Sequence, residues 1–340
     1  MTYRLSRTAA WHRRWIVFAR IALTAPFAIA AAHAAAAEWK PEGAVELIAT
    51  NAPGGGSDRI LRLMQKILQD QPGITVPLNV VNKPGGGSSV AYNYLNLHAG
   101  DARFFVLASK SLLTNNIVGR GPSYTMLTPV AHLFNEYIAV TVTPDSPIKT
   151  GKDLLERLKK DPQAVSFGIA TSLGAPNHQG VAVAASKADI DVKKLRAVIF
   201  ASGGAATTAL FGGHIDVVPI SVAFATSLLR SGQVRILAIA APQRLPGDLA
   251  GVPAWREQGY DAVVSQWRGF VGPKDMTASQ IAYWEQAFRR LLDSPEWKKE
   301  LDTNFWQADF RDSAGFRKVL DEDNAELTRF LGDIGLVKKK

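Results

Sequence analysis

The pattern Asn-x-Pro-Gly-Gly-Gly-Ser occurs twice, at Asn51–Ser57 and at Asn82–Ser88. Each copy follows a short apolar run, Val45–Ala49 or Val76–Val81, and precedes a segment with helical apolar spacing. After the first copy that stripe is Ile60, Leu61, Leu63, Met64, Ile67 and Leu68; after the second it is Tyr92, Leu95 and Leu97. Strand, glycine-rich turn and helix in close succession commit a chain to βα units, whose strands pair in parallel because the crossover helix returns the chain in the same direction. Arg103–Ala108 supplies a third strand. Three glycines let backbone approach a ligand closely, and the helix start adds unpaired N–H donors and the positive end of the helix dipole. Such a loop suits an anion. A plain turn with Ser or Asp as N-cap has the same composition, but two copies in adjacent units favour binding. Pro53, Gly54, Gly55, Gly56, Ser57 and Asp58 in the first loop, with Gly87 and Ser88 in the second, are therefore candidate ligand contacts.

A second alternation starts near Thr150. The spacing predicts helices over 153–160, 177–188, 205–211 and 223–230, and strands over 165–170, 195–200, 215–218 and 234–240. Helices over 279–292, 295–301 and 314–331 follow. Two segments break the rhythm: Glu136–Pro144 and Val263–Pro273 are extended, aromatic and β-branched, and each ends at proline. As crossing strands they divide the chain into one lobe of residues 38–139 plus 269–340 and a second of 140–268, with the ligand in the cleft between them. The expected fold class is α/β, two doubly wound sheets joined by two crossing strands. A single continuous doubly wound sheet is the alternative. In the second lobe, Thr171, Ser172 and His178 lie at a strand-to-helix junction, and Ser202 and Gly203 follow the next strand at its carboxyl end, where open α/β sheets bind ligands. His178 has an equal alternative as a helix-start histidine hydrogen-bonded to its own loop. Trp267, flanked by Gln266 and Arg268, reads first as a packing residue.

Residues 1–37 read as a cleavable signal peptide. Arg4, Arg7, Arg13 and Arg14 precede an apolar stretch from Trp15 to Ala32, an Ala-x-Ala site follows, and the first carboxylate is Glu38. Cleavage between Ala35 and Glu38 and delivery to the periplasm are expected. An uncleaved anchor is the alternative, and the paired arginines also fit twin-arginine export. Removing five arginines and no acids lowers the formal charge from +9 to +4. The remaining lysines and arginines are scattered among acids apart from Lys338–Lys340, so nucleic acid is not an expected partner. The chain has no cysteine, which excludes a lipoprotein anchor, disulfides, thiolate-bound zinc and thiol chemistry. His98, His132, His178 and His214 lack metal-ligand spacing, and neither a phosphate-binding P-loop nor a nucleophile elbow is present. A monomer without cofactor or metal is expected.

In this order along nearly the whole mature chain, the loops resemble those of the Bug family, the solute receptors of tripartite tricarboxylate transporters. The first loop, Pro53 to Asp58, is similar to the family's Pro-Gly-Gly-Ser-Thr-Asp, and Asn82 to Ser88 to its Asn-Lys-Pro-Gly-Ala-Gly-Gly. Ala108-Ser109-Lys110 matches a Thr-Ser-Gly turn, which adds Ser109 and Lys110 to the candidate contacts. Thr171 to His178, Leu210 to Asp216 and Trp267-Arg268-Gly269 resemble three further family signatures. The resemblance implies a type II periplasmic binding fold closing on a dicarboxylate, tricarboxylate, acidic amino acid or aromatic acid. It also implies two membrane subunits of a secondary transporter as partners. A receptor presenting its ligand to a sensor kinase is the alternative, and an α/β enzyme acting on carboxylates would need a nucleophile–base pair that the sequence does not offer. Phe200-Ala201 replaces the family's Tyr-Lys, Ile220-Ser221 its Asp-Ser, and Lys110 a common glycine.

Overall fold

The computed structural model of the protein describes residues 39–337. The expected signal peptide, its cleavage site and the Lys338–Lys340 tail lie outside the described residues. In chain order, β1 (Val45–Ala49), α1 (Gly56–Gln69), β2 (Leu78–Asn82), α2 (Ser89–Asn96), β3 (Phe104–Ala108) and α3 (Ser111–Ile117) form three successive βα units. A long strand, β4 (Thr128–Val142), follows, then α4 (Gly151–Lys160), β5 (Ser166–Ala170), α5 (Pro176–Lys187), β6 (Arg196–Phe200) and α6 (Gly203–Phe211). The chain continues through β7 (Val218–Ser221), α7 (Val222–Arg230), β8 (Arg235–Ile239) and β9 (Ser265–Gly272). It ends with α8 (Ala278–Asp293), α9 (Pro295–Asn304), β10 (Gln307–Arg311) and α10 (Ser313–Asp333).

β2, β1 and β3 pair in parallel, as βα units require. β9 then joins β3 antiparallel, so the sheet is mixed. β4 changes partners along its length. From Thr128 to Tyr137 it ladders with β9, and β10 covers its other edge. From Ile138 to Val142 its partners are β7 and β8. β5 and β6 pair in parallel, and Phe167 bridges β5 to Val217 just before β7. The fold is α/β. β4 begins well before the expected crossing segment, and β10 and α3 are absent from the sequence reading. β7 starts at Val218 rather than 215, because Asp216 turns back to accept from the Ser166 amide and hydroxyl.

Local sequence sets the helix ends. Thr277 and Gln280 form a reciprocal capping box on α8, Ser294 with Pro295 starts α9, and Asp312 caps α10. The α1 stripe of Ile60, Leu61, Met64 and Leu68 is buried against β1 and β2. Around β1, β3 and α8 the core is aromatic. Phe270 stacks on Phe288 at 4.3 Å between centroids, and Phe105 meets Trp284 edge-on at 4.8 Å. Rings this deeply buried each contribute about 1.5–3 kcal/mol, so the strand ends rest on a stiff platform.

Candidate functional site

A cavity of about 70 Å³ is lined from the carboxyl ends of β1, β2 and β3 on one side and of β5, β6 and β7 on the other. β4 adds Ile138, and β9 adds Gln266 and Arg268. Of the expected contacts, Gly56, Ser88, Ser109, Thr171 and Gly203 line this cavity. The others support it from behind or lie elsewhere.

In the first loop most N–H groups already have partners. Gly54 donates to Asp58 Oδ2 (2.8 Å), Gly55 to the Ala52 carbonyl (3.0 Å) and Ser57 to Asn51 Oδ1 (3.1 Å). Asn51 thus stands in for an N-cap side chain on α1. A Cβ at Gly55 would lie 2.9 Å from the Asn51 side chain, which is why this position is glycine although its φ is ordinary. Asp58 is buried beneath the loop. Burial alone raises its carboxyl pKa, but hydrogen bonds from Arg62, Gly54 and Asn82 outweigh that and hold it below the usual carboxylate range. Pro53 and Gly54 are exposed, and Ser57 is buried with its hydroxyl on Asn51.

The second loop has the same sequence pattern and a different conformation. Gly85, Gly86, Gly87 and Ser88 have φ of 119°, 56°, 66° and 91°. Glycine tolerates the left-handed region, whereas Ser88 is strained there. The two loops are braced through their asparagines and the aspartate, since Asn82 Nδ2 donates to the Asn51 carbonyl (2.9 Å) and to Asp58 Oδ1 (3.0 Å). Gly87 packs against Ser172, whose Cβ would be 3.3 Å from a Cβ at Gly87. These two residues therefore join the two sides outside the cavity wall. Thr171, at φ 69°, is the second strained residue in the wall. The Ser109 and Ser111 hydroxyls share a hydrogen bond of 2.9 Å.

Lys110 turns away from the cavity. Its amine pairs with Asp323 of α10 at 3.2 Å, and Asp323 also accepts from Trp267 Nε1 at 2.6 Å. His178 Nδ1 accepts from the Gly174 amide at 3.0 Å, and burial pushes its pKa down to about 4, so the neutral ring fastens the 171–175 turn. Ser202 caps α6 by accepting from the Ala205 amide (3.1 Å).

Three wall residues not expected from the sequence carry its charge and polarity. Arg59, in the first turns of α1, lies over the Phe224 ring of α7 at 4.3 Å. Arg268 Nε and Gln266 Nε2 both donate to Glu136 Oε1, at 2.7 and 2.6 Å, and Glu136 is buried behind the wall. Arg59 and Arg268 are the charged residues of the wall, and among the described residues no carboxylate pairs with Arg59. No group of three His, Cys, Asp or Glu side chains among the described residues is placed to hold a metal ion, and no described helix is long and apolar enough to cross a membrane.

The family model described as the tripartite tricarboxylate transporter family receptor matches residues 60–336. The chain belongs to that family. BugT of Bordetella pertussis is 24% identical over 264 residues, covering 76% of this chain and 79% of BugT. The periplasmic binding protein BugD superposes with a TM-score of 0.81 at 19% identity, over 88% of this chain and 100% of BugD. MatC from Rhodopseudomonas palustris, solved with bound malate, gives a TM-score of 0.76 at 20% identity, over 85% of this chain and 99% of MatC. The fold of this receptor is that of the periplasmic binding proteins. Ile220 and Ser221, which stand where the family pattern has Asp-Ser, both line the cavity and leave that wall uncharged.

Proposed function

We propose that this receptor encloses a small carboxylate in the cavity and releases it unchanged to the membrane subunits of a tripartite transporter. The observation that carries this reading is Arg59, an exposed guanidinium at the cavity wall with no carboxylate partner, which shares that wall with the hydroxyls of Ser88, Ser109, Ser111 and Thr171. An enclosed anion supplies the partner and gains charge-assisted hydrogen bonds. The wall has serines but no His, Asp, Glu or Lys to activate them, which favours binding over catalysis. Malate bound to the structural relative MatC supports the ligand class. The lobes of this reading are residues 38–139 plus 269–340 and residues 140–268. They would bend about the Tyr137–Ile138 step of β4, where its partners change, and about the entry to β9. Export through residues 1–37, with a monomer lacking any cofactor, completes the proposal.

The test is calorimetry and thermal melting of the chain from Glu38 onward against mono-, di- and tricarboxylates. A bound acid must raise the melting temperature because it binds the folded state alone, and Arg59→Gln should weaken it by about tenfold or more. If no carboxylate shifts the melting temperature, or if Arg59→Gln binds as tightly as the native chain, the reading fails.

A further inference from the structure

The two guanidiniums in the cavity wall are not equivalent. Arg268 is 7% exposed and turns its Nε and Nη2 edge onto Glu136, which is 2% exposed. This pair already sums to zero charge, and the side-on edge that grips a carboxylate bidentately is occupied. Gln266 donates its amide to the same Glu136 oxygen. Residue 136 faces 266 and residue 134 faces 268 directly across the β4–β9 ladder, so backbone register holds the three side chains in place. Among the described residues, Arg268 Nη1 has no acceptor and Gln266 Oε1 has no donor. Arg59 differs: its neighbour Asp58 is bound to Arg62 at 3.0 Å, and its guanidinium rests on Phe224. The wall therefore carries one uncompensated positive charge.

We infer that the receptor selects a monoanion, with its carboxylate at Arg59 and an uncharged polar group, amide or hydroxyl, at Gln266 and Arg268. This rests on the carboxylate reading above and deepens it. A carboxamide or hydroxyl both donates and accepts, matching the acceptor of Gln266 beside the donor of Arg268. A second carboxylate at that end loses its water and meets a neutral pair, with the Gln266 carbonyl facing it oxygen to oxygen. Flipping the Gln266 amide removes that clash only by taking a donor from buried Glu136, which leaves part of its charge unsatisfied.

The experiment compares malonate, succinate and glutarate, each with its own monoamide, by calorimetry at neutral pH on the chain from Glu38 onward. Each pair has matched length and shape and differs by one charge. The monoamide of the best-fitting length should bind about tenfold tighter or more than its diacid. Glu136→Gln leaves Arg268 uncompensated and should reverse that order, while Glu136→Gln with Arg268→Gln should restore it. If the single variant does not fold, the order in the native chain decides. A diacid that binds the native chain as tightly as its monoamide overturns this inference and leaves the carboxylate reading standing, as does an order unchanged by Glu136→Gln. If neither member of any pair binds, this inference falls, and the broader series of mono-, di- and tricarboxylates decides the carboxylate reading on its own.

Discussion

His178 makes the stability of the protein depend on pH in a window set by its burial. The ring is 5% exposed, its pKa is pushed from 6.5 down to about 4, and its Nδ1 accepts the Gly174 amide. The folded chain holds the ring neutral, whereas the unfolded chain takes up a proton below 6.5. Stability from this group is therefore complete above pH 6.5, falls as the pH drops, and is fully lost below about 4. Moving a proton-binding constant over that range corresponds to about 3 kcal/mol, with no reduction for solvent screening because the ring is enclosed. The assay is urea denaturation of the native chain and of His178→Gln at a series of pH values from about 3 to 8, spanning both ends of the window. Subtracting the two curves removes the carboxylates, among them Asp58, whose depressed pKa places its own loss at lower pH. The difference should slope between pH 6.5 and 4 and flatten outside it. A flat difference throughout, or a nuclear magnetic resonance titration of His178 centred near its ordinary value, refutes the argument. Ligand affinity of the folded chain should hold through that window and weaken only as the pH falls to about 4, where the folded ring itself takes up a proton, because the Gly174 carbonyl also accepts from Thr114 (3.2 Å) and Gln179 (2.7 Å) in the turn that carries Thr171 into the wall.

Lys110→Met should lower stability by about 1 kcal/mol or more, since it takes the cation from a largely buried Asp323, and should change ligand affinity by less than about twofold; a tenfold loss in calorimetry would place the amine in the site after all. Gly55→Ala tests the close approach of Asn51. Its φ of −73° suits alanine, so a measured loss of about 1 kcal/mol or more in denaturation would report the displaced cap, and melting unchanged from the native chain would contradict that role.

The sequence displayed the parts of the fold whose burial is periodic. The α1 stripe and the apolar runs that became β1, β5 and β8 could be read directly, because one face of the helix and the interior of the sheet each leave a regular apolar signature. The first half of β4 could not. Thr128–Asn135 contains Pro129, His132 and Asn135, yet nearly all of it is buried between β9 and β10, so neither alternation nor a pure apolar run marks it. β10, Gln-Ala-Asp-Phe-Arg, is a polar edge strand whose position depends on a partner far back in the chain. In the site, the glycine-rich loops announced themselves, but the N–H groups of the first proved to be largely occupied by Asn51, Ala52 and Asp58. Gln266 and Arg268 were within reach of sequence reasoning: in an extended segment they share a face opposite Trp267. Arg59 was not, because its placement over Phe224 joins helices whose residues lie far apart in sequence.

β4 also limits how such a protein can be taken apart. Its Ile138–Val142 end supplies the strand between β7 and β8, while its Thr128–Tyr137 end supplies the strand between β9 and β10. A chimera that exchanged residues 140–268 for those of a relative would import β7 and β8 but cut the strand they pair with. The foreign strands would have to accept a seam inside β4, where one-residue register errors invert every side chain. Specificity in this architecture is therefore expected to diversify through point changes in loops and on β9, rather than by shuffling halves.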